Sequence, residues 1–258
     1  ILQLIQMTDL HLGPTADYQC RGFNTLDSFK AVLAAFESNS NGEEILVLTG
    51  DLASDAQPGA YQQLNKILIQ NKKRAIWLPG NHDHLSLMQE YLSNYPYLPV
   101  YEHEHWAVLM IDSSVPGQAG GKISNQQLTQ LEEQLEQLKD KYLLVAMHHS
   151  PVSLNSQWLD EHRISNHQKL HSLLVANGNV KAVITGHIHQ QHETDWQGIK
   201  VYSTPSTCFQ FAENSDQFAL TDKKPYALPS PRCHLPIIAV WYPPVFKCLA
   251  TFGRRLFI

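Results

Sequence analysis

The strongest constraint on the fold is a regular alternation of short apolar runs with longer helical patterns. Six runs rich in Ile, Val and Leu are predicted to be buried strands, at 1–7, 44–49, 74–78, 106–111, 143–147 and 181–185. Helices are predicted between them at 25–37, 58–70, 85–94, 125–139 and 166–177, with Ser124 as an N-cap. This alternation predicts a layered α/β fold around a largely parallel or mixed sheet.

Polar motifs follow five of these strands, at the point where each strand is predicted to end. They are Asp9-Leu10-His11, Gly50-Asp51, Gly80-Asn81-His82-Asp83, His148-His149 and Gly186-His187-Ile188-His189. A glycine before Asp51, Asn81 and His187 would let the backbone turn sharply where the strand stops. Each motif alone is common in turns, but five of them in order at strand ends are hard to explain by chance. Open α/β sheets bind ligands at the carboxyl ends of their strands, so this edge is the predicted site.

The residue types in these motifs are those of a metal site. In Asp-x-His and His-x-His the two donors are two residues apart, so an extended backbone points both to one side. Carboxylate, amide and imidazole donors without thiolates suit iron, manganese or zinc and argue against a structural zinc site. Seven donors are too many for one ion, which predicts two divalent ions sharing Asp51 as a bridge. The candidate ligands are Asp9, His11, Asp51, Asn81, His148, His187 and His189.

The order of these motifs resembles that of the calcineurin-like metallophosphoesterases. The resemblance implies a central β-sandwich of two mixed sheets flanked by helices, whereas periodicity alone suggests one doubly wound sheet. It assigns one ion to Asp9, His11, Asp51 and His189, and the other to Asp51, Asn81, His148 and His187. It makes His82 the catalytic histidine that contacts the substrate phosphate or protonates the leaving group, oriented by Asp83. His149 stays open as an alternative ligand to His148.

Segments between the motifs resemble a narrower group, the bacterial class III cyclic AMP phosphodiesterases. The matching segments are 21–25, 77–83, 158–166 and 204–211. This resemblance implies hydrolysis of 3′,5′-cyclic AMP to 5′-AMP by in-line attack of a metal-bridging hydroxide, with Fe²⁺ or Mn²⁺ favoured and Zn²⁺ as an alternative. The expected substrate contacts are His11, Asn81, His82 and His189. Two alternatives stay open: a broad-range or glycerophosphodiester phosphodiesterase with the same ligands, and a catalytically impaired metal- or nucleotide-binding module.

Charge and composition argue against several other classes of protein. The net charge is −5 without a basic stripe, which argues against a nucleic-acid partner. No apolar run reaches the ~18 residues of a membrane span. The four cysteines stand far apart, so we expect a reducing compartment, the cytoplasm. The expected partner is a small cyclic nucleotide, and the oligomeric state, monomer or homodimer, is left open.

The last stretch of the sequence differs from the rest. Residues 223–258 contain six of the fourteen prolines, two of the four cysteines and no acidic residue. We therefore expect a metallophosphoesterase domain over residues 1–222, followed by a divergent proline-rich tail. The resemblance to the phosphodiesterases stops at this boundary. Either a reading-frame change replaced the C-terminus, or the tail is a genuine divergent ending.

Overall fold

The computed structural model describes residues 2–37, 40, 42–221, 238–242 and 245–249. Its strands are β1 (Leu2–Met7), β2 (Gln19–Cys20), β3 (Phe23–Asn24), β4 (Ile45–Thr49), β5 (Arg74–Leu78), β6 (Val100–His103), β7 (Trp106–Ile111), β8 (Tyr142–Met147), β9 (Val180–Thr185), β10 (His192–Trp196), β11 (Ile199–Ser203), β12 (Ile238–Tyr242) and β13 (Val245–Leu249). Its helices are α1 (Thr25–Glu37), α2 (Pro58–Gln70), α3 (Leu85–Tyr91), α4 (Asn125–Gln137), α5 (Gln157–Asp160) and α6 (His167–Ala176).

The strands form two mixed sheets and one small hairpin. The first sheet has the order β13-β12-β1-β4-β5, in which β1, β4 and β5 are parallel and β12 runs antiparallel to β1. The second has the order β10-β11-β9-β8-β7-β6, with four parallel strands at its centre and an antiparallel strand at each edge. The hairpin pairs β2 with β3.

The two sheets pack face to face and share one apolar core. The residues that meet between the sheets include Leu4, Val47 and Ile76 from the first sheet and Val108, Leu144 and Ile184 from the second. Alternate residues of the same strands face outward, where they pack against α1, α2 and α3 on one side and α4 and α6 on the other. Because both faces of each sheet are covered, the sequences of the central strands are continuous apolar runs. The predicted β-sandwich flanked by helices is confirmed, and the single doubly wound sheet suggested by periodicity is wrong.

Most of the predicted helices and strands are confirmed within a few residues. The helices 25–37 and 58–70 have the predicted bounds, whereas α3 and α4 end before the predicted residues 94 and 139. Ser124 caps α4 as predicted: its side chain accepts from the Gln127 amide, and the Gln127 side chain accepts from the Ser124 amide. The sequence analysis missed the hairpin strands β2 and β3, the strands β6, β10 and β11 of the second sheet, the tail strands β12 and β13, and the short helix α5.

The tail contributes two strands to the first sheet. The antiparallel pair β12 and β13 lies among the tail prolines, and β12 pairs with β1. The stretch between residue 221 and β12 lies outside the described residues. The domain boundary at residue 222 and the origin of the tail stay predictions. In the described part of the chain, no helix has the length and apolar character needed to cross a membrane.

Candidate metal centre

The candidate ligands lie where strands of both sheets end. Asp9 and His11 follow β1, Asp51 follows β4, Asn81 follows β5, His148 follows β8, and His187 and His189 follow β9. The chain turns abruptly at five of these positions, with φ between 47° and 69° at Asp9, His11, Asp51, His187 and His189. A non-glycine residue in this left-handed region costs about 1–2 kcal/mol. Such concentrated backbone strain is typical of a functional site.

Three glycines leave room for the ligands. A Cβ on Gly50 would lie 2.5 Å from the His148 ring, and one on Gly80 would lie 2.2 Å from the Asp51 carboxylate. A Cβ on Gly186 would come within 2.1 Å of a neighbouring side-chain oxygen. Of the three, Gly50 alone has a positive φ, at 92°. The predicted turn-forming role therefore applies to Gly50, whereas Gly80 and Gly186 are needed for space.

The first group of donors consists of Asp9, His11 and His189. The Nε2 atoms of His11 and His189 face each other at 3.1 Å, and His189 Nε2 lies 3.2 Å from Asp9 Oδ1. His189 Nδ1 donates to the carbonyl of Phe209 at 2.6 Å, which leaves Nε2 available to a metal ion. Asp9 Oδ1 is buried without a hydrogen-bond partner among the described residues. A buried carboxylate oxygen in that position beside two imidazole nitrogens fits a metal ion.

The second group consists of Asp51, Asn81, His148 and His187. His148 Nε2 lies 3.3 Å from Asp51 Oδ2 and 3.1 Å from Asn81 Oδ1. His148 Nδ1 donates to the Thr49 carbonyl at 2.8 Å, so its Nε2 points at the other donors. His187 Nε2 is buried, and no hydrogen-bond partner for it occurs in the part of the chain described. Burying a ring nitrogen without a hydrogen-bond partner costs desolvation free energy. A metal ion bound to His187 Nε2 would supply the missing partner.

Asp51 lies between the two groups. Its Oδ2 is 3.3 Å from His148 Nε2 and 3.9 Å from His11 Nε2. Its Oδ1 accepts the amide hydrogen of His82 at 2.9 Å. One carboxylate oxygen is thus fixed by the backbone while the other faces both groups, an arrangement that suits a carboxylate shared by two ions.

Burial and mutual proximity set the charges of these residues. Burial opposes ionisation of Asp51, but the neighbouring His148 outweighs it and holds the pKa of the carboxyl well below its usual range. Burial likewise opposes protonation of His148, but Asp51 outweighs it and raises the pKa of the imidazole to about 9. Burial lowers the pKa of His11 to about 3 and that of His187 well below normal. His11 and His187 are therefore neutral, the state that ligates metals, and a cation would displace the proton of His148.

His149 differs from His148 because both of its ring nitrogens have protein partners. Nε2 donates to the carbonyl of Ala119 at 3.1 Å, and Nδ1 accepts from the Ser113 hydroxyl at 2.8 Å. The same hydroxyl accepts the amide hydrogen of His149 at 3.1 Å. Although the His149 ring lies near His148 and His187, these bonds use its donor and its acceptor. The geometry favours His148 over His149 as the ligand.

His82 lies at the solvent-exposed opening of the cluster, with its ring 5.1 Å from that of His11. Its Nδ1 donates to the Ser54 carbonyl at 2.9 Å. The Asp83 carboxylate was expected to orient this ring, but it instead accepts from the backbone amides of residues 52, 53 and 80 and from the Tyr61 hydroxyl. The expectation that Asp83 orients the His82 ring is wrong, because the Ser54 carbonyl holds the ring and these four donors occupy the carboxylate. Asp83 instead ties together the two loops that carry Asp51 and His82.

The segment after β11 makes contacts that the sequence analysis did not assign. The carbonyl of Phe209 fixes the His189 ring, and the Phe209 ring stacks on His11 with a centroid distance of 5.3 Å. The Ser206 hydroxyl donates to the carbonyl of Asp9 at 2.7 Å. The resemblance in segment 204–211 was the available signal. This resemblance did not identify the role of Phe209, because the contact is made by its backbone carbonyl, which every residue type has.

Comparison with known proteins gives concordant matches. A family model described as calcineurin-like phosphoesterase matches residues 2–191. The 3′,5′-cyclic adenosine monophosphate phosphodiesterase CpdA of Haemophilus influenzae is 36% identical over 87% of this chain and 83% of that protein, and that of Escherichia coli K12 is 35% identical over 85% and 81%. The crystal structure of a dimetal phosphatase from Danio rerio has the same fold, with a TM-score of 0.68, 15% identity and coverage of 96% of both chains.

The different surroundings of the two adjacent histidines predict different metal contents. We expect His148→Ala, purified and loaded with manganese, to lose about one of two bound ions. His149→Ala should keep both ions and lose about 1–3 kcal/mol of unfolding free energy, because buried partners of its ring become unsatisfied. Elemental analysis gives the metal content and thermal unfolding gives the stability. Loss of an ion from His149→Ala but not from His148→Ala would reverse the assignment.

Proposed function

The chain belongs to the calcineurin-like phosphoesterase family, and we propose that it is a metal-dependent phosphodiesterase that hydrolyses 3′,5′-cyclic AMP to 5′-AMP. The observation that carries this proposal is the convergence of carboxylate and imidazole donors in overlapping buried groups, with the Asn81 amide oxygen 3.1 Å from His148 Nε2 and the exposed His82 at the opening. The substrate class is supported by relatives named as cyclic AMP phosphodiesterases that are 36% and 35% identical over most of the chain. A small-molecule substrate and a cytoplasmic location are part of the proposal.

We assign two divalent ions to the two groups of donors. Asp9, His11, Asp51 and His189 would hold one ion, and Asp51, Asn81, His148 and His187 the other. Fe²⁺ and Mn²⁺ suit this donor set, and Zn²⁺ is compatible with it. When bound, such ions neutralise charge on a phosphoryl group and activate a water nucleophile. The support for this assignment is the geometry around Asp51 Oδ2 together with the unpartnered atoms of Asp9 and His187.

His82 is assigned as the general acid. Its Nδ1 donates to the Ser54 carbonyl, which leaves Nε2 as the ring nitrogen that can give a proton to the leaving oxygen. A water oxygen bonds to phosphorus as the bond between phosphorus and the ribose 3′-oxygen breaks. The 3′-oxygen takes the proton from His82 and becomes the 3′-hydroxyl of 5′-AMP, and the attacking water releases a proton to solvent. Asp83 is a positioning residue in this scheme, because its carboxylate fixes the loop backbone and does not reach the reacting atoms.

We place the substrate phosphate against His11, Asn81, His82 and His189. The His11 ring lies 5.1 Å from the rings of both His82 and His189, so one small group can reach all three. Asn81 is partly exposed beside them and has a side-chain amide that can donate to a phosphoryl oxygen. Asn81 and His82 lie at the opening of the cluster, where a phosphodiester can approach from solvent, whereas His11 and His189 are buried.

The proposal predicts a chelator-sensitive activity on cyclic AMP. Manganese-loaded protein should release 5′-AMP from 3′,5′-cyclic AMP faster than it hydrolyses glycerophosphocholine or bis-p-nitrophenyl phosphate, and EDTA should abolish all turnover. Chromatography of the products distinguishes 5′-AMP from 3′-AMP. Turnover of the generic diester alone would support a broad-range diesterase instead. Tight cyclic AMP binding with no turnover of any diester would indicate a binding module.

The assigned role of His82 predicts a variant that separates metal binding from catalysis. His82→Ala should retain both ions and lower kcat by ~10²–10⁴-fold, because the leaving oxygen loses its proton donor. Metal content and kcat are measured on the same sample. His105→Ala is the matched control, since His105 is an exposed histidine in the turn that precedes β7, at the opposite end of that strand from the cluster. A His82→Ala protein with unchanged kcat would contradict the assignment.

A further inference from the structure

An aromatic wall leads outward from His189, the second of the two histidines that follow β9. We use this name for Trp158, Phe211 and Phe218. The Phe211 ring stacks on His189 with centroids 4.2 Å apart, and Phe218 lies 5.6 Å beyond Phe211. Trp158 contacts both phenylalanines, at 4.9 Å and 5.4 Å. The wall is therefore continuous from the buried donor cluster to the protein surface.

The inner part of the wall is braced by the protein, while its outer part faces solvent. Trp158 and Phe211 are half-buried and pack against a small apolar cluster formed by Leu154, Leu159 and Ile188. Phe218 is 47% exposed. Phe218 is the exposed end of a contiguous aromatic surface that also includes Trp158 and Phe211, and contiguous apolar surface of this kind can bind a ligand.

The loop that carries Phe218 is fixed in place. Residues 211 and 220 form an antiparallel bridge, and the Ala212 amide donates to the carbonyl of Ala219 at 2.8 Å. The Ser156 hydroxyl donates to the Ser215 carbonyl, and the Gln157 amide donates to Asp216 Oδ1. These bonds join the loop to the start of α5, the helix that contains Trp158. The wall is thus preorganised, which lowers the entropy cost of binding a ligand against it.

Arg21 contacts the wall at its outer residue, Phe218. It lies at the tip of the β2–β3 hairpin with a φ of 52°, and its guanidinium carbon lies 5.0 Å from the Phe218 ring centroid. The preceding residue, Cys20, hydrogen-bonds the Ser54 side chain, and the Ser54 carbonyl accepts from His82. Arg21 therefore stands on the His82 side of the cluster. An exposed arginine over an aromatic ring offers a cationic, planar edge to a π system.

We propose that the aromatic wall, with Arg21 at its outer edge, binds the nucleobase of the substrate. A nucleotide whose phosphate lies at the donor cluster extends its sugar and base away from it, and the inner residue of the wall, Phe211, stacks on His189 of that cluster. Aromatic side chains and arginine both stack on the faces of bases. The inference rests on the proposed function and deepens it, because it explains how a nucleotide is selected over other phosphodiesters at the same metal centre.

The test compares two phosphomonoesters that differ by the base. Titration calorimetry on manganese-loaded protein measures the Kd of 5′-AMP and of ribose 5-phosphate. The wild-type protein should bind 5′-AMP more tightly. Phe218→Ala should weaken 5′-AMP binding by ~10-fold and leave ribose 5-phosphate unchanged, because base stacking is lost while the phosphate contacts remain. Phe218→Trp should retain the preference for 5′-AMP.

Ile69→Ala is the control for a loss of exposed apolar surface away from the site, since Ile69 is 45% exposed in α2. Equal wild-type affinity for the two ligands would overturn the proposal. So would a Phe218→Ala protein that loses affinity for both ligands alike, or for neither. Because the measurement requires binding but no turnover, a protein that failed to hydrolyse cyclic AMP would still give a separate answer about the wall.

Discussion

Left-handed backbone at the ends of the strands is the constraint on which the rest of the site depends. Asp9, His11, Asp51, His187 and His189 all have φ between 47° and 69°, a conformation that L-residues avoid. Surrounding hydrogen bonds offset that cost. The Asp9 amide donates to the carbonyl of Gly50 at 3.0 Å, and the His187 amide donates to Asp9 Oδ2 at 3.0 Å. The turns bring the side chains together in one cluster. The extended backbone expected for the Asp-x-His and His-x-His pairs is wrong, because all four of these residues have a left-handed φ.

Neither sheet forms the centre alone. Asp9 and Asp51 follow strands of the first sheet, while His148, His187 and His189 follow strands of the second. Buried Gln6 fixes the sheets to each other just beneath the site: its amide nitrogen donates to the Thr49 hydroxyl at 2.9 Å in one sheet and to the Thr185 carbonyl at 2.8 Å in the other. The hydrogen bond from the His187 amide to Asp9 adds a second link. The packing of the sandwich thus sets the distances between the donors, and the aromatic wall extends the same edge outward.

Residue patterns in the sequence predicted the local features, whereas the pairing of the two sheets was predicted by the family resemblance alone. The apolar strands, the cap at Ser124 and the strand-end motifs depend on residue type and short spacing, so they were predicted correctly. The periodicity of apolar residues could not predict that the strands form two sheets. Strands that are buried on both faces have the same apolar sequences in a sandwich and in a doubly wound sheet. The edge strand β10 was missed because its sequence, His-Glu-Thr-Asp-Trp, is largely polar. The sequence could not predict the hydrogen bonds from backbone amides to Asp83 or the one from His189 to the Phe209 carbonyl. Backbone groups are the same in every residue type, so these partners can be identified only from the structure.

Anomalous diffraction from manganese-loaded crystals tests the dinuclear centre most directly. Two anomalous peaks are expected on opposite sides of Asp51 Oδ2, about 3.5–4 Å apart, as in other two-metal sites. One peak should lie among Asp9, His11 and His189, and the other among Asn81, His148 and His187. A single peak at full manganese occupancy, or a peak coordinated by His149, would contradict this assignment of ligands.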